Sequence, residues 1–503
     1  MIFDKALETP NGLALDDLSR RRTWAELADR ITRVARLLRE GFGLHPDDHA
    51  AVLMGNRVEF VELILGAMLA GVWITPINRH LQAEEIVYVI EDSGSKVLFT
   101  DAEHDATARQ SKAANVVLAG EELDSAIARA SDEPMPFDGP AGGTMIYTSG
   151  ITGRPKGVKR ARQPTLGAGL SALGQAGAAL GFDGSGPHLV TGPLHHASPL
   201  LFAIYDQANG APVVVMPRWD DRHALGLIEE RGIRHTHMVP TMFVRLLRLP
   251  EDIRSRFNPS SLSLVLHGAA PIGTTLKKRM IDWWGEILVE YWGATEGGVC
   301  TLVDSANWLA HPGTVGRPLA TFEIFAVDDD GRRLPAGEIG TLYCRHTWLT
   351  EVFEYHRAPE KTAESYLEPG VFTTGDVGHV DTEGYVYLID RKSSMIVSGG
   401  VNIYPAEVEQ VLQQHPAVAD VGVFGIPDEE WGETVKAAVE LVEGERPSPE
   451  LESEILTFGR EHLASYKVPR SIDFEEKLPR HPTGKLYIRS LRDRYWKDRG
   501  RNI

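Results

Sequence analysis

Short apolar runs recur along this chain, and stretches with the character of amphipathic helices separate them. The runs are AAVLMG near residue 50, KVLFT near 96, TMIYT at 144, APVVVMP at 211 and LSLVLHG at 262. Short apolar runs between helices are typical of parallel strands that are covered on both faces. The pattern therefore predicts an α/β fold whose sheets are packed by helices.

After about residue 391 the pattern changes to shorter units. AEVEQVLQQHPAV is helical, ADVGVFGIP is a strand, and WGETVKAAVELV combines a turn with a strand. We therefore predict two domains: residues 1–391 form a large N-terminal domain of helix-covered sheets, and residues 392–503 form a small α+β C-terminal domain.

The net charge and the cysteine content argue against several classes of protein. The 503-residue chain has a formal net charge of −18, which disfavours binding of nucleic acid or of an anionic membrane surface by general electrostatics. Two cysteines, Cys300 and Cys344, suggest neither a disulfide framework nor a metal cluster, and such sparse use is typical of the reducing cytoplasm. The most apolar run, from Leu63 to Ile77, is shorter than the ~20 residues of a membrane helix, so no span is expected.

The stretch TSGITGRPKG, from Thr148 to Gly157, directly follows the predicted strand TMIYT. Backbone N–H groups in such a loop can turn inward, hydroxyl groups can donate, and Lys156 adds a positive charge, so the stretch suits a phosphate. It is not the kinase-type P-loop, because Pro155 precedes the lysine and Gly157 follows it. A polar surface turn is the alternative interpretation of an isolated loop with this composition.

Four further segments favour the phosphate loop. They are HGAAPIG at 267–273, EYWGATEGG at 290–298, FTTGDVGHVDTEGYVYLIDRKSSMIVSGGVNIYPAEVE at 372–409 and PRHPTGK at 479–485. Together with YTSGITGRPKG they resemble, in order and spacing, the core motifs of the adenylate-forming superfamily, which includes acyl-CoA synthetases, peptide-synthetase adenylation domains and firefly-type luciferases. The resemblance covers nearly the whole chain. It implies a mobile C-terminal domain and the use of ATP, Mg²⁺ and a carboxylic acid.

The resemblance assigns the loop to the β- and γ-phosphates of ATP. The residues that would surround them are Thr148, Ser149, Gly150, Thr152, Gly153 and Lys156. Ile151 stands where the family usually has another threonine, and losing a hydroxyl donor to a charged acceptor costs about 1.5–3 kcal/mol. We therefore expect a weakened but functional loop.

Other motifs would hold the rest of the nucleotide. By resemblance, the contacts are Trp292 with Gly293 for the adenine face, Gly268, Ala269, Ala270 and Pro271 for its edge, Thr295 for phosphate, Glu296 for Mg²⁺, Asp376 for the ribose hydroxyls and Arg391 for the ribose–phosphate region. Oxygen ligands such as a glutamate suit a hard cation.

Adenylation needs aligned donors and cations, because negative charge builds up on the phosphoryl oxygens. By resemblance, Lys485 bridges the carboxylate and the α-phosphate, and Thr148, Glu296 and His196 complete the catalytic set. His196, rather than its neighbour His195, matches the family position beside the incoming carboxylate. Amino-acid-activating relatives have an aspartate near this point, and its absence argues against an α-amino-acid substrate.

A second pair of histidines, His235 and His237, lies in a strand-like run that ends at VPT. Histidine is a common metal ligand, but no third ligand accompanies this pair. We therefore expect no catalytic metal there.

The second half-reaction would transfer the acyl group to CoA after the C-terminal domain rotates. MIVSGGVNIYP matches the segment that swings in, where Gly399 and Gly400 leave room for the pantetheine arm. Lys467 would lie near the CoA path, and a surface lysine is an equally favoured alternative. At the hinge, Ser393 follows Lys392 where the family commonly has Asp or Lys, so the balance between the two conformations is open.

Small residues leave two interpretations of the acyl pocket. TLGAGLSALGQAGAALG at 165–181 is a helical stretch rich in Gly and Ala, and Gly297 and Gly298 follow the predicted magnesium ligand. They predict either close packing of backbone against the sheet, or a wide pocket for a medium-to-long, branched or polycyclic acid. Acetate is not expected.

We therefore expect an acyl-CoA synthetase, which forms acyl-AMP and pyrophosphate from a carboxylic acid and ATP and then transfers the acyl group to CoA. One alternative is a ligase that loads the phosphopantetheine of a carrier protein. The other is a catalytically impaired nucleotide-binding protein. The identity of the acid is open, and an oligomer is compatible with these expectations.

Overall fold

The computed structural model describes residues 2–111, 113–148, 155–391, 394–398, 401–428, 431–480 and 486–496. Residues 390, 391, 397, 402 and 432 are described by their backbone alone.

The strands alternate with helices through most of the chain. In chain order the strands are β1 (Leu13–Asp16), β2 (Arg21–Thr23), β3 (His49–Leu53), β4 (Trp73–Pro76), β5 (Val97–Thr100), β6 (Asn115–Leu118), β7 (Gly143–Thr148), β8 (Lys156–Arg160), β9 (His188–Val190), β10 (Val213–Val215), β11 (His235–Met238), β12 (Leu264–His267), β13 (Leu288–Ala294), β14 (Gly298–Asp304), β15 (Arg317–Pro318), β16 (Phe322–Val327), β17 (Gly340–His346), β18 (Phe353–Tyr355), β19 (Tyr366–Glu368), β20 (Val371–Phe372), β21 (Asp376–Val380), β22 (Val386–Arg391), β23 (Ile396–Ser398), β24 (Val401–Ile403), β25 (Val418–Asp428), β26 (Gly432–Leu441) and β27 (Ser471–Glu475).

The α-helices cover these strands. They are α1 (Ile2–Glu8), α2 (Trp24–Arg36), α3 (Val58–Leu69), α4 (Ala83–Ser93), α5 (Asp105–Ala108), α6 (Glu121–Arg129), α7 (Leu166–Ala179), α8 (Ala197–Ala208), α9 (Asp221–Glu230), α10 (Pro240–Arg248), α11 (Glu251–Arg254), α12 (Thr274–Trp284), α13 (Ser305–Ala310), α14 (Pro359–Glu364), α15 (Pro405–Leu412), α16 (Pro449–His462) and α17 (Ile488–Trp496). A π-helical turn, Leu37–Gly41, extends α2, and short 3₁₀ turns lie at Pro259–Ser261 and Ser465–Lys467.

Two sheets are mostly parallel. Among the described strands, one sheet has seven in the order β18-β8-β7-β4-β3-β5-β6, and the other has nine in the order β15-β14-β13-β12-β11-β9-β10-β1-β2. Parallel pairs, such as Ala50 beside Ile74 and Val265 beside Leu288, occupy the interior of each sheet. All five apolar runs contain a strand of these sheets, so the predicted α/β class is confirmed.

The apolar run from Leu63 to Ile77 spans the end of one helix and the strand that follows it. It supplies the second half of α3, which is buried along almost its whole length, and then the strand β4. The residues of α3 pack into the main core together with α2. No helix in the described part of the chain is long and apolar enough to cross a membrane.

Two further sheets are mostly antiparallel. One has six described strands and is built from β16, β17 and β19 to β22. The other takes its described strands from residues 396–475 alone and has its own core, in which Val421, Val439 and Ile455 pack together. Residues 396–475 therefore combine this sheet with helices, which is the α+β composition predicted for the C-terminal domain. The boundary near residue 392 stays a prediction, since residues 392 and 393 lie outside the described residues.

The side-chain amide of Asn56 forms three hydrogen bonds that hold the segment leading into α8. The Asn56 side chain donates hydrogen bonds to the carbonyl oxygens of Gly192 and Met216, both at 2.9 Å. Its own oxygen accepts from the backbone N–H of Leu194 at 2.8 Å. Because Asn56 follows β3 of the seven-stranded sheet and Gly192 follows β9 of the nine-stranded sheet, these bonds tie the two sheets together beside His195.

Candidate active site

The glycine- and threonine-rich stretch connects two antiparallel strands. β7 ends at Thr148 and β8 begins at Lys156, and these two residues are paired across the hairpin. Thr148 and Lys156 are both partly exposed at the base of the connection. The predicted phosphate contacts Ser149, Gly150, Thr152 and Gly153, and the divergent Ile151, lie outside the described residues.

Lys156 and Glu296 both contact Tyr355. The Lys156 Nζ atom lies 5.2 Å from the ring centroid of Tyr355, and the Tyr355 hydroxyl donates to Glu296 Oε1 at 2.9 Å. Burial, followed by the charge of Lys361, lowers the pKa of Lys156, while acidic neighbours that include Glu296 act in the opposite direction. The hairpin lysine and the predicted magnesium ligand, 140 positions apart in the chain, are therefore at one site.

Glu296 has the chemistry of a magnesium ligand in this position. Each carboxylate oxygen has more than one lone pair, so Glu296 can accept from Tyr355 and still offer oxygen to a hard cation. The residue is partly exposed at the tip of the hairpin between β13 and β14.

Asp376 lies beside the predicted adenine platform. Its Oδ2 atom accepts hydrogen bonds from the indole Nε1–H of Trp292 at 3.2 Å and from the Thr374 hydroxyl at 2.6 Å. The carboxylate is 7 % exposed, and its residue is paired with Arg391 across β21 and β22. The structure therefore joins the WGATE and TTGD segments and orients the carboxylate, while the Arg391 side chain lies outside the description.

We refer to Lys156, Tyr355, Glu296, Trp292, Thr374 and Asp376 together as the nucleotide corner. Tyr355 and Thr374 were not predicted. Thr374 stands two residues before Asp376, so its hydroxyl could have been anticipated as a local partner. Tyr355 lies in the short strand β18 with no motif around it, and only the pairing of β18 with β8 reveals its role.

The predicted adenine-edge segment begins where β12 ends. A Cβ atom at Gly268 would lie 2.6 Å from the carbonyl oxygen of Tyr291 and 2.7 Å from its ring, so this position requires glycine. Ala269 has φ of +65°, a left-handed conformation that costs an L-residue about 1 kcal/mol or more. Ala270 is partly buried and Pro271 is exposed. Strain of this kind is typical of functional turns.

Two glycines assigned to the acyl site have packing reasons. A Cβ atom at Gly297 would lie 2.5 Å from the ring of Phe372. Gly298 has φ of +76°, and the guanidinium group of Arg160 lies over it, 2.8 Å from where a Cβ atom would be. Gly293 and Thr295 lie on the same hairpin, in β13 and at its tip. The acyl role of Gly297 and Gly298 stays a prediction.

His196 immediately precedes α8, and its ring lies 4.3 Å from that of His195. Burial, and then the charges of His196 and His80, lower the pKa of His195 far below its usual range. A neutral, buried His195 suits a packing role. His196 lies at the N-terminus of α8, and its role beside the substrate carboxylate stays a prediction.

The inner side of α8 carries a second polar group of residues, which we call the α8 polar face. It consists of Ser198 and Asp206 on the helix, His188, His235 and His237 on β9 and β11, and Tyr291 on β13. Asp206 Oδ2 accepts from His188 at 3.0 Å and from His235 at 2.8 Å. The Tyr291 hydroxyl contacts Ser198 Oγ at 2.8 Å and His237 Nε2 at 3.2 Å.

These contacts give His235 and His237 separate, structural partners. Burial alone would raise the pKa of Asp206, but the hydrogen bonds and charges of His188 and His235 lower it to about 2. Burial lowers the pKa of His237 to about 3. Among the described side chains, a group with metal-ligand geometry lies elsewhere, at Asp101, Glu103 and His104.

The predicted CoA contacts fall mainly outside the description. Gly399 and Gly400 lie outside the described residues, as does the predicted catalytic Lys485. Lys467 donates to both carboxylate oxygens of Glu407, at 2.6 and 2.7 Å, so its charge is compensated by α15.

Comparison with known proteins identifies the family of the chain. A family model described as "AMP-binding enzyme" matches residues 2–353, and one described as "AMP-binding enzyme C-terminal domain" matches residues 407–485. ScoC, a fatty acid–[acyl-carrier-protein] ligase of Streptomyces coeruleorubidus, is 33% identical over 500 residues, which cover 96% of this chain and 93% of ScoC. A feruloyl-CoA synthase of an Amycolatopsis species is 33% identical over 495 residues, which cover 98% of this chain and 97% of that enzyme.

The likeness extends to solved structures. The o-succinylbenzoate CoA synthetase MenE of Bacillus subtilis, in complex with its acyl-adenylate intermediate, superposes with a TM-score of 0.82 at 29% identity. The match covers 98% of this chain and 97% of MenE. Family model, sequence relatives and shared architecture lead to one conclusion: the chain belongs to the AMP-binding enzyme family and is of the acyl-CoA synthetase type within the adenylate-forming superfamily.

Proposed function

We propose that the chain uses ATP and Mg²⁺ to convert a carboxylic acid to an acyl-adenylate and then transfers the acyl group to CoA. The observation that carries the proposal is the nucleotide corner. There the hairpin lysine and the predicted magnesium ligand both contact Tyr355, and the predicted ribose carboxylate accepts from Thr374 and from Trp292, which lies on the same hairpin as Glu296. A cation and an oxygen ligand for Mg²⁺ suit the triphosphate, and an oriented carboxylate suits the donor hydroxyls of the ribose.

In the first half-reaction, a carboxylate oxygen of the acid attacks the α-phosphorus of ATP, and pyrophosphate leaves. Residues Thr148, Ser149, Gly150, Thr152, Gly153 and Lys156, with Thr295, would hold the departing phosphates. Lys485 would lie between the carboxylate and the α-phosphate and reduce their repulsion. His196 would orient the carboxylate at the start of α8.

The nucleoside would be held from three sides. Asp376 would bind the ribose hydroxyls with its carboxylate already oriented by Trp292 and Thr374. The adenine would lie between Trp292 and the Gly268–Pro271 segment, and Arg391 would contact the ribose–phosphate region. Glu296 would hold Mg²⁺, which neutralises charge on the phosphoryl oxygens when it is bound.

In the second half-reaction, the thiolate of CoA attacks the acyl carbon and forms the thioester. The bond between that carbon and the phosphate oxygen breaks, and AMP leaves with the bonding electrons. A domain of residues 392–503 would rotate about Ser393 to bring Gly399 and Gly400 to the pantetheine. Lys467 would take part only if it releases Glu407. Gly297 and Gly298 would border the acyl group.

Two alternatives keep the same site. A carrier-protein phosphopantetheine would replace CoA as the acceptor, and the similarity to ScoC supports this alternative. A catalytically impaired nucleotide-binding protein is supported by Ile151 and Ser393, which depart from the family pattern at the loop and at the hinge.

Incubation with a panel of carboxylic acids, ATP and Mg²⁺, with and without CoA, followed by mass spectrometry, tests the proposal. Acyl-CoA and AMP are expected. Acyl-AMP that persists in the presence of CoA would favour a carrier protein. Absence of turnover with every acid, despite ATP binding, would support the impaired protein and contradict the proposed function.

A further inference from the structure

The base of the phosphate-loop hairpin lies against one helix of the seven-stranded sheet. Thr148 ends β7 and Lys156 begins β8, so this pair fixes where the loop starts and ends. Helix α4 lies beside that base and contacts both sides of it. The contacts come from Tyr88 and Asp92, which are one helical turn apart on the same face.

Asp92 holds the first strand of the hairpin. Its Oδ2 atom accepts a hydrogen bond from the Tyr147 hydroxyl at 2.6 Å. Tyr147 immediately precedes Thr148 and is paired with Gly157 on the second strand. Burial, and then the hydrogen bond to Asp92, raises the pKa of Tyr147, so its hydroxyl group remains a donor at neutral pH. A carboxylate acceptor makes such a bond stronger than one between neutral groups.

Tyr88 holds the other end of the loop. Its hydroxyl donates to the carbonyl oxygen of Pro155 at 3.3 Å. That carbonyl belongs to the planar peptide unit that joins Pro155 to Lys156. The bond therefore orients the backbone at the point where the lysine begins β8.

The backbone of Asp92 adds a contact to the segment that follows Tyr355. The His356 Nε2 atom donates to the Asp92 carbonyl oxygen at 3.0 Å, and the backbone N–H of His356 donates to the Gly157 carbonyl oxygen at 2.8 Å. His356 directly follows Tyr355, whose ring lies beside Lys156. Helix α4 is therefore bonded to β7, to the end of the loop and to the end of β18.

The helix that makes these bonds is itself firmly anchored. Ile86, Val89 and Ile90 are buried and pack in one cluster with Leu53 and Leu98 of the sheet. The two polar side chains are only half-buried. Side chains on a fixed helix lose little further freedom when they form hydrogen bonds, so they can position a neighbouring segment.

We propose that Asp92 and Tyr88 are positioning residues of the adenylation reaction, which hold the phosphate-loop hairpin in the arrangement that binds the β- and γ-phosphates of ATP. The inference rests on the proposed function and adds two residues that lie outside the five core motifs. Each acts through the hairpin rather than by touching a substrate.

The need for such support follows from the geometry of phosphate binding. Donors and cations contribute only where they point at phosphate oxygens, and a displacement of about 1 Å can cost about a hundredfold in rate. Thr148 and Lys156 are each adjacent to a residue that α4 holds. Loss of either contact should therefore weaken the binding of ATP and leave the binding of the acid almost unchanged.

The test compares the wild type with Tyr147→Phe, Asp92→Ala and the double variant. Initial rates of pyrophosphate exchange give the KM for ATP and the KM for an accepted acid. We expect each single substitution to raise the KM for ATP about five- to tenfold and to leave the KM for the acid within about twofold of the wild type. The double variant should be no worse than the more affected single variant, because both substitutions remove the same bond.

Conservative variants separate positioning from general support of the fold. Asp92→Asn keeps an acceptor oxygen for Tyr147 and should retain the KM for ATP within about twofold, whereas Tyr88→Phe, which removes only the bond to the end of the loop, should raise it about threefold. Tyr385→Phe is the matched control, because it removes the bond of a buried tyrosine to Asn307 at 3.1 Å, away from the hairpin. It should lower stability without changing the KM for ATP.

Calorimetric titration with ATP and Mg²⁺ provides a readout that needs no turnover, and urea denaturation measures the stability of every variant. If Asp92→Ala does not fold, Tyr147→Phe, which loses a single oxygen atom, carries the test. A folded Tyr147→Phe protein that binds ATP as the wild type does, or whose KM for the acid rises as much as its KM for ATP, would overturn the inference while leaving the proposed function intact. A wild type that neither binds ATP nor exchanges pyrophosphate with any acid would overturn the proposed function and the inference with it.

Discussion

The nucleotide corner and the α8 polar face both contain polar side chains contributed by several strands, but they differ in exposure and in bonding. In the α8 polar face, Asp206, His188 and His235 are 0–2 % exposed and bond to one another. In the nucleotide corner, Lys156 and Glu296 remain partly exposed, and Tyr355 lies between them. Buried polar groups that satisfy one another stabilise a fold, whereas oriented groups with access to solvent can bind a ligand.

The comparison predicts that substitutions in the two regions separate activity from stability. Changes at the corner and at Lys485, the proposed catalytic lysine, should lower the adenylation rate with little change in unfolding. Changes beneath α8 should lower the free energy of unfolding first.

The largest effect is expected for Lys485→Ala. Without the cation between carboxylate and α-phosphate, the rate of acyl-AMP formation should fall about a thousandfold or more, while ATP binding is mostly kept. Pyrophosphate exchange measures the rate, and calorimetry measures ATP binding. Lys477→Ala, which changes an exposed lysine in the same part of the chain, is the control and should match the wild type. A Lys485→Ala protein with normal exchange would remove this lysine from the mechanism.

Asp206→Ala should have the largest effect on stability. It leaves His188 and His235 buried without their shared acceptor, which should lower the free energy of unfolding by about 3 kcal/mol. Urea denaturation measures the change, and the KM for ATP of the remaining folded protein should be unaltered. A stable variant with a raised KM would place Asp206 in the active region and break the comparison.

The same carboxylate predicts a dependence of stability on pH. The folded-state pKa of Asp206 is lowered to about 2, below the unfolded value of about 3.9. The stabilisation is therefore present above about pH 4 and is lost as the pH falls towards 2, and it amounts to about 2–3 kcal/mol. Urea denaturation of wild type and Asp206→Asn should show a difference that shrinks over this interval. A difference independent of pH would mean that ionisation of Asp206 does not stabilise the fold.

Ile151→Thr should strengthen nucleotide binding. Restoring a hydroxyl donor to the loop is expected to lower the KM for ATP by about tenfold, with no change in thermal unfolding. Ile151→Val, which adds no donor, is the control. If the threonine variant and the valine variant behave alike, the hydroxyl group does not contact the nucleotide.

Tyr355→Phe should have the smallest effect. It removes the hydrogen bond to Glu296 but keeps the ring beneath Lys156, so the concentration of Mg²⁺ needed for half-maximal rate should rise about fivefold, equivalent to about 1 kcal/mol. Tyr343→Phe, in the neighbouring six-stranded sheet, provides a matched control. An unchanged Mg²⁺ requirement would show that Glu296 is positioned without this tyrosine.

Much of the fold could be predicted because its signals are local. Each apolar run contains a strand, since burial on both faces needs an uninterrupted apolar stretch. The nucleotide corner was partly predicted because Lys156, Glu296 and Asp376 lie in motifs that the family shares. Tyr355 was missed because its contact with Glu296 depends on the pairing of β18 with β8, which no neighbouring residue signals.

The acyl side shows where composition misleads. Gly174 and Gly177 allow either a wide pocket or close helix packing, and only the positions of Asn209 and Tyr205 separate the two. Likewise, His235 and His237 share a strand face, yet one bonds to Asp206 and the other to Tyr291. Partners that are distant in the chain decide the function of such residues.

The central claim is that the acid is activated by direct attack of its carboxylate on the α-phosphorus of ATP. The most direct measurement supplies an acid with both carboxylate oxygens labelled with oxygen-18, together with ATP, Mg²⁺ and CoA, and follows the label by mass spectrometry. The account predicts that the AMP produced contains one labelled oxygen and that pyrophosphate contains none. Unlabelled AMP, or label in a phosphate derived from the γ-position, would contradict an acyl-adenylate intermediate.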